Sequence, residues 1–573
     1  MKVEKQKKRI AILGGGPSGL FIYKRLIESG ETDFEIDIFE KKNQLGAGMP
    51  YSIDGANDEH VTNVSDNEVP TIVTSMSEWI YTAPAYLLER FKIDPSEFNE
   101  YKVVPRLLFG QYLSDQFDLL KESANKLGIL TNVHFQNEVL DIRQNEQNKE
   151  MLIETTKLGV VPFDYTIICT GHKWPTEHEG KIPGYFDAPY PPHKLILPLN
   201  HAVAIRGSSL TAIDAIRTLA RSNGTFERDA NDNLVYKISN ESPEFKIVMH
   251  SRNGLLPAVR FHLEDSHLSN DSLLTREEID LHKKNNGGFL SLDYIFQKDF
   301  KDIFLTKDPE FYQRIKDLSI EEFVDEMMEL RERIEPFTLL KAEYIQAEKS
   351  IKRHESVYWK EMLAVLSFAM NQPAKYLSAE DMQRLQKVLM PLISIVIAFV
   401  PQKSCLELLA LHQAGILDIV SVGSDSTVEP QEQGGIIYNF EDENKHTHSI
   451  YYKTFVDCIG QPHLSYSKFS FKGLVSQKII SPAKIKFQSA ELGKEALESG
   501  NKLVEQDANG DYFLSVSGIA INDNFQTIDH YGAYNENVFV MAVPYIGGYN
   551  PDYSGLDFCE AASLRIVNNI LNN

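Results

Sequence analysis

The stretch Ile10-Ala11-Ile12-Leu13-Gly14-Gly15-Gly16-Pro17-Ser18-Gly19 runs from an apolar strand straight into a glycine-rich turn, and Glu40 closes the next strand, Glu35 to Phe39, twenty-one residues after Gly19. Strand, G-x-G-x-x-G turn, helix, strand and terminal acid in this order predict a dinucleotide-binding unit. Gly14 permits the tight turn, Gly16 lets backbone amides approach a pyrophosphate, and Gly19 lets the following helix sit close on the sheet. The helix N-terminus, opened by Pro17 and Ser18, offers partial positive charge to phosphate. Glu40 is placed to accept from a ribose hydroxyl, with Lys41 beside it.

A second unit follows. Ala202 to Ile205 read as an apolar strand, then come Arg206-Gly207-Ser208-Ser209-Leu210-Thr211-Ala212 and a helix with Ile213, Ile216, Leu219 and Ala220 at helical spacing. The pattern is G-x-S-x-x-A, so Ser and Ala replace two glycines. Plain strand-turn-helix packing is the alternative to a cofactor turn. Lys246 to His250 form the next strand, and Arg252 stands just past its end, where a guanidinium suits the 2′-phosphate of NADPH better than the acid expected for NADH; a solvated surface arginine is the alternative. Each unit also has a later apolar strand ending in glycine, Thr166 to Gly171 with Thr170 before the glycine, and Phe455 to Gly460. Cys169 and Cys458 on these strands read as small packing residues rather than nucleophiles.

Composition bounds the rest. At 573 residues the chain needs two or three domains, and 42% hydrophobic and 24% charged residues are globular values. A net charge of -23 disfavours nucleic acid and anionic lipid as partners. Four cysteines without a CxxC pair argue against a metal knuckle, a redox dithiol or a disulfide framework, and fit a reducing cytoplasm. The amino-terminal residues have no signal-peptide pattern. The most apolar window, Val388 to Val400, contains Pro391 and is too short to cross a bilayer, so a buried helix is expected.

Gly46-Ala47-Gly48-Met49-Pro50-Tyr51-Ser52, His60-Val61-Thr62-Asn63-Val64, Arg106-Leu107-Leu108-Phe109-Gly110-Gln111-Tyr112-Leu113, Gly207-Ser208-Ser209-Leu210-Thr211-Ala212-Ile213-Asp214 and Ser251-Arg252-Asn253-Gly254-Leu255-Leu256-Pro257 resemble an FAD/NAD(P)-binding flavoprotein family with two dinucleotide-binding domains, containing flavin monooxygenases and N-hydroxylases. The resemblance covers about half the chain. It implies an α/β fold of two Rossmann-like domains, one for FAD and one for NAD(P), with a helical insertion. It further implies that Gly48, Met49, Tyr51 and Asn63 border the flavin, that Arg106 lies near its phosphates or ring, and that Val139 meets the adenine through its backbone. The segment Ser554-Gly555-Leu556, opening a helix from Asp557, would aim a helix dipole at the flavin.

The expected organisation is an FAD domain over 1–195 and 465–573, an NAD(P) domain over 196–261 and 401–464, and a helical insertion over 262–400. Thr275, Ser319 and Ser378, each followed by acids, read as helix starts, and Phe323, Met327 and Leu330 as one apolar face. Phe337, Tyr344, Tyr358, Trp359, Met362, Phe368 and Met370 line either a substrate pocket under a lid or a core. No HxxxH helix, no Gly-x-Ser-x-Gly elbow and no paired flavin-side cysteines are present, and the Gly184 to His193 segment departs from the Baeyer–Villiger fingerprint. The reading is an FAD-dependent, NAD(P)H-dependent monooxygenase, NADPH favoured and NADH open, hydroxylating a small polar nitrogen-containing molecule with O₂ through a flavin C4a-hydroperoxide. A reductase or oxidase on the same scaffold and a non-catalytic flavin-bearing redox sensor are the alternatives. No catalytic residue and no metal ligand is named.

Overall fold

In the computed structural model, which describes residues 7–264, 273–371, 373–461, 463–552 and 555–572, the run Ile10–Leu13 is buried throughout. Such a strand needs cover on both faces, as in a parallel sheet with helices on either side. The strand Lys8–Leu13 is central in a six-stranded sheet of order Gln526–Ile528, Tyr534–Val540, Tyr165–Ile168, Lys8–Leu13, Phe34–Glu40, Thr131–Phe135. Leu13 pairs in register with Phe39 on one side and Ile168 on the other, and all pairings are parallel except the hairpin at the first edge. The chain therefore leaves this sheet and returns to it only after residue 520.

A second, all-parallel sheet has the order Tyr185–Phe186, Thr454–Asp457, Ala202–Arg206, Lys246–Ser251, Leu417–Ser421. It begins at Tyr185, within the connection that follows the first unit. The two units repeat one construction. In the first, Gly14 donates its amide to Phe39 at 2.9 Å and Cys169 donates to Leu13 at 2.9 Å; in the second, Gly207 donates to His250 at 2.8 Å and Cys458 to Arg206 at 2.9 Å. Gly14 has φ +109° and a Cβ there would lie 2.7 Å from the Cys169 carbonyl oxygen; Gly207 has φ +106° and would lie 2.8 Å from that of Cys458. Each glycine-ended strand is also preceded by a three-stranded antiparallel meander, Val139–Phe163 and Thr427–Tyr452.

The insert between Lys246–Ser251 and Leu417–Ser421 is helical. Thr275 and Ser319 open helices Arg276–Asn285 and Ile320–Arg333 with reciprocal capping boxes, and Ser378 caps Ala379–Arg384. The buried stripe of Ile320–Arg333 is Ile320, Phe323, Val324, Met328 and Arg331, whereas Leu330 is exposed, so the expected face was rotated by part of a turn. The Val388–Val400 window is not one helix: a π turn over Leu385–Leu389 leads into Met390–Val396, because Pro391 cannot donate within a continuous helix.

Phe296, Phe300, Phe304, Phe323, Met362 and Met370 form the insert's own core, which also takes in Ile485, Phe487, Val504 and Leu514 from the small sheet of the returning segment. Phe337, Leu340 and Ala347 pack into the core of the second sheet. The insert is wedged between both units. No helix among the described residues is long and apolar enough to cross a membrane. Replacing Gly207 by Ala should lower the denaturant midpoint, by about 1–3 kcal/mol in the unfolding free energy, with an equal fall for Gly14→Ala; fluorescence-monitored urea unfolding reads both.

Candidate functional site

Above the carboxy-terminal ends of the first sheet lies a cavity of about 1240 Å³, larger than the roughly 300–1,000 Å³ of a pocket for one small ligand. Gly14, Gly16, Pro17, Ser18, Glu40, Lys41, Gly48, Met49, Tyr51, Asn63, Val139, Thr170, Gly171, Gly555 and Leu556 all line it; Ser554 falls outside the described residues. The donor set fits a dinucleotide. Helix Pro17–Glu28 begins at Gly16 with no side-chain cap, which leaves its first amides for a phosphate. Glu40 accepts from the Gly15 amide at 2.9 Å through Oε2 and from the Lys42 amide at 2.8 Å through Oε1, so the carboxylate is fixed with lone pairs to spare for hydroxyls. Burial pushes the Tyr51 hydroxyl up to about 12, so it stays protonated at the wall.

Six expected residues lie off this cavity. Gly19 is buried within helix Pro17–Glu28. Arg106 does not face the cavity as expected: its guanidinium holds Asp214 of the second unit, Nη1 to Oδ2 at 2.6 Å and Nη2 to Oδ1 at 3.3 Å, and Nε donates to the Val61 carbonyl at 3.0 Å. The Tyr190 hydroxyl donates to the same Asp214 Oδ2 at 2.8 Å. His60 accepts from the Asn57 amide at Nδ1, 3.0 Å, which leaves the proton on Nε2 to be donated to the Asp214 carbonyl at 3.1 Å. Burial pushes the His60 imidazole down, and it is neutral. Burial works to raise the Asp214 carboxyl as well, yet Arg106 outweighs it and the group is held below its ordinary range. His60, Arg106 and Asp214 come from three of the quoted motifs, and the structure joins them as the contact between the two units.

Gly207, Ser208 and Ser209 form the second turn. Ser209 begins helix Leu210–Ser222 without a side-chain cap, while the Ser208 hydroxyl donates to the Leu255 carbonyl at 2.7 Å and is turned away from a phosphate. The amide of Gly207 meets His250 as that of Gly14 meets Phe39, so Ser251 stands where Glu40 stands and Arg252, exposed, where Lys41 does. No carboxylate stands in the second unit where Glu40 stands in the first.

The exits of the two glycine-ended strands are tied together. The Gln461 side chain accepts from the Lys173 amide at 2.9 Å and donates to the Lys173 carbonyl at 2.9 Å, and the Trp174 indole donates to the Gly460 carbonyl at 3.1 Å. Trp174 packs on Tyr190, ring centroids 5.1 Å apart, and both line the cavity.

Residues 11–173 match the FAD-NAD(P)-binding family. Residues 275–397 match the family of the YdhS-like middle domain. Among curated proteins, the Uncharacterized protein YdhS of Escherichia coli (strain K12) is 28% identical over 476 residues, 82% of this chain and 86% of that one. The Thiol-specific monooxygenase of Saccharomyces cerevisiae (strain ATCC 204508 / S288c) is 30% identical over 182 residues, 30% of this chain and 37% of that one. Among solved structures, the ornithine N-hydroxylase of Kutzneria sp. 744 overlays with TM-score 0.47 at 12% identity, covering 99% of each chain, and the ornithine hydroxylase of Pseudomonas aeruginosa with 0.48 at 10%, covering 98% and 99%.

Further residues line the cavity besides those of the first nucleotide turn. Of the aromatic and methionine candidates in the insert, only Phe368 reaches the cavity, beside Ala364, Ile397 and Phe399. Cys169 and Cys559, 390 positions apart, both reach its wall, so the absence of a CxxC pair did not exclude two thiols there; burial pushes both thiols up, Cys559 to about 12, and both stay protonated. Asp557, in the first turn of helix Gly555–Asn572, also lines the cavity, and its Oδ1 is buried with no hydrogen-bond partner among the described residues. Burial, with repulsion from Glu68, Asp552 and Glu560, pushes this carboxyl up to about 7. A carboxyl that ionises near 4 when unfolded and near 7 when folded costs stability progressively as pH rises across that window, and the loss is complete above it. Asp557→Asn should therefore match the parent in thermal unfolding at pH 4 and exceed it at pH 8, by about 1–3 kcal/mol.

Proposed function

We propose that this protein is an FAD-dependent, NAD(P)H-consuming monooxygenase that hydroxylates a small polar nitrogen-containing molecule with O₂. The observation that carries the reading is the continuity of one cavity. It runs from the first nucleotide turn past Tyr51 and Asn63 to walls supplied by the connection into the second unit, Trp174, Tyr190 and Lys194, and by the insert, Phe368 and Phe399. Flavin, nicotinamide and substrate would share one enclosed space. Bound FAD would supply hydride acceptance and oxygen activation. The amides from Gly14 to Ser18 would hold its pyrophosphate, Glu40 and Lys41 its adenosine end, the Val139 backbone its adenine, and Gly48, Met49, Thr170, Gly171, Gly555 and Leu556 the rest of its length.

In the second unit Gly207 and Ser209 would hold the nicotinamide dinucleotide, and Arg252 would read a 2′-phosphate. Ser251 in the acid's place supports NADPH, since a carboxylate there would repel that phosphate. Asp557, whose Oδ1 has no hydrogen-bond partner among the described residues, and the apolar Phe368 line the same cavity, which suits a basic nitrogen on a short apolar body. The partial match to a thiol-specific monooxygenase supports oxygen transfer over simple reduction. The second reading, an FAD-dependent reductase or oxidase, draws on Cys169 and Cys559, but thiols held protonated are poor nucleophiles.

Anaerobic mixing of the flavin-loaded protein with NADPH or NADH should bleach the visible spectrum faster with NADPH. Admission of oxygen with a panel of amines should then yield hydroxylated product; hydrogen peroxide alone across the panel would favour the oxidase. Arg252→Ala should raise the NADPH KM at least tenfold and leave that for NADH within a factor of two, and unchanged discrimination would return Arg252 to the solvated surface.

A further inference from the structure

At the seam between the insert and the returning carboxy-terminal segment lies a second cleft, of about 400 Å³, that shares no lining residue with the first; Arg276, Lys375 and Tyr376 wall it from the insert, Ile521, Asp523 and Tyr549 from the return. Its charges do not balance. Asp523 sits at the centre: Arg276 Nη2 is 3.1 Å from Oδ2, the Tyr376 hydroxyl donates to the same oxygen at 2.7 Å, and Lys375 pairs with Oδ1. Lys283 lies over the Tyr376 ring, 3.5 Å from its centroid. Arg565, from helix Gly555–Asn572, belongs to the same group: burial pushes its guanidinium down, Asp523 pulls it up, and Arg276 adds to the fall. It makes no hydrogen bond or ion pair with a described residue. The Lys375 ammonium is pushed down by burial in the same way, despite Asp523. Asp280, 3.8 Å from Arg276 and 3.6 Å from Lys283, is the other carboxylate.

Four cations thus gather about two carboxylates, Arg276 and Lys375 among them on the cleft wall, in a chain of net charge -23. A purely structural ion pair needs one cation per carboxylate, and Asp523 already has two cations and the Tyr376 hydroxyl against it. Arg276 is mostly exposed, but Lys283, Lys375 and Arg565 are partly buried, where an unpaired charge is costly. Guanidinium forks are matched to planar oxyanions, and Ile521 with the rings of Tyr376 and Tyr549 offers an apolar wall for a few carbon atoms. We propose that this cleft binds a small organic anion through its carboxylate or phosphate group, at a site separate from the dinucleotide cavity. Because the cleft joins the insert to the first unit, its occupant would brace the element that carries Phe368.

The test is calorimetric titration of the flavin-loaded, full-length protein with inorganic phosphate and, separately, with succinate, each against sodium chloride of equal ionic strength. At least one anion should bind saturably, should bind at least tenfold more weakly to Arg565→Gln, and should bind unchanged to Arg252→Ala. Phosphate alone would mark a phosphorylated ligand, succinate alone a carboxylate one. Circular dichroism and the flavin spectrum report whether Arg565→Gln is folded, and Arg276→Gln replaces it if not. No saturable binding of either anion, binding indifferent to the arginine variant, or binding lost in Arg252→Ala would each overturn the proposal.

Discussion

The buried ion pair between Arg106 and Asp214 is the contact on which the arrangement of the molecule depends. It joins the start of a helix in the first unit to the first helix of the second, and it is closed from the sides by Tyr190 and His60. Removing one partner would leave a charge without solvent or counterion, a loss of about 3–5 kcal/mol for such pairs. The pair is as much a constraint on geometry as a source of stability, since a bidentate guanidinium and carboxylate tolerate little rotation. Another buried pair works beside it: Arg260 of the second unit holds Glu68 and the Asn63 carbonyl of the first. Together they set where the second nucleotide turn stands relative to the cavity.

Much of the fold was legible in the residues. The two nucleotide turns announce themselves because a glycine at positive φ against a neighbouring carbonyl admits no side chain, and because strands buried on both faces must read as continuous apolar runs. Helix starts at Thr275, Ser319 and Ser378 were equally plain, since capping is local chemistry. The cavity wall was legible where it coincided with those turns.

What was not legible depends on contacts between distant segments. Arg106 lies 108 residues from Asp214, and nothing in its own surroundings says that it pairs across domains rather than facing a cofactor. The same holds for Cys559, which reaches the cavity only through the return of the chain. The apolar faces of the insert were visible, but not their partners. Ile485, Phe487 and Leu514 complete a core whose other half lies in the insert far earlier in the chain, and Leu330 was misassigned because a short stripe of apolar residues does not define the angle at which a helix docks.

The clamp made by Gln461 and Trp174 on the exits of the two glycine-ended strands has a consequence for traffic. With both exits bonded to each other and both units pinned at Asp214, swinging the walls apart would have to break these bonds. Ile53, Tyr86 and Arg90 line the same cavity with exposed side chains, a border that can be crossed without breaking them. A molecule built in this way would exchange a ligand at that border with its frame still, and the slow step of a cycle would then be sought there rather than in a rotation of its halves.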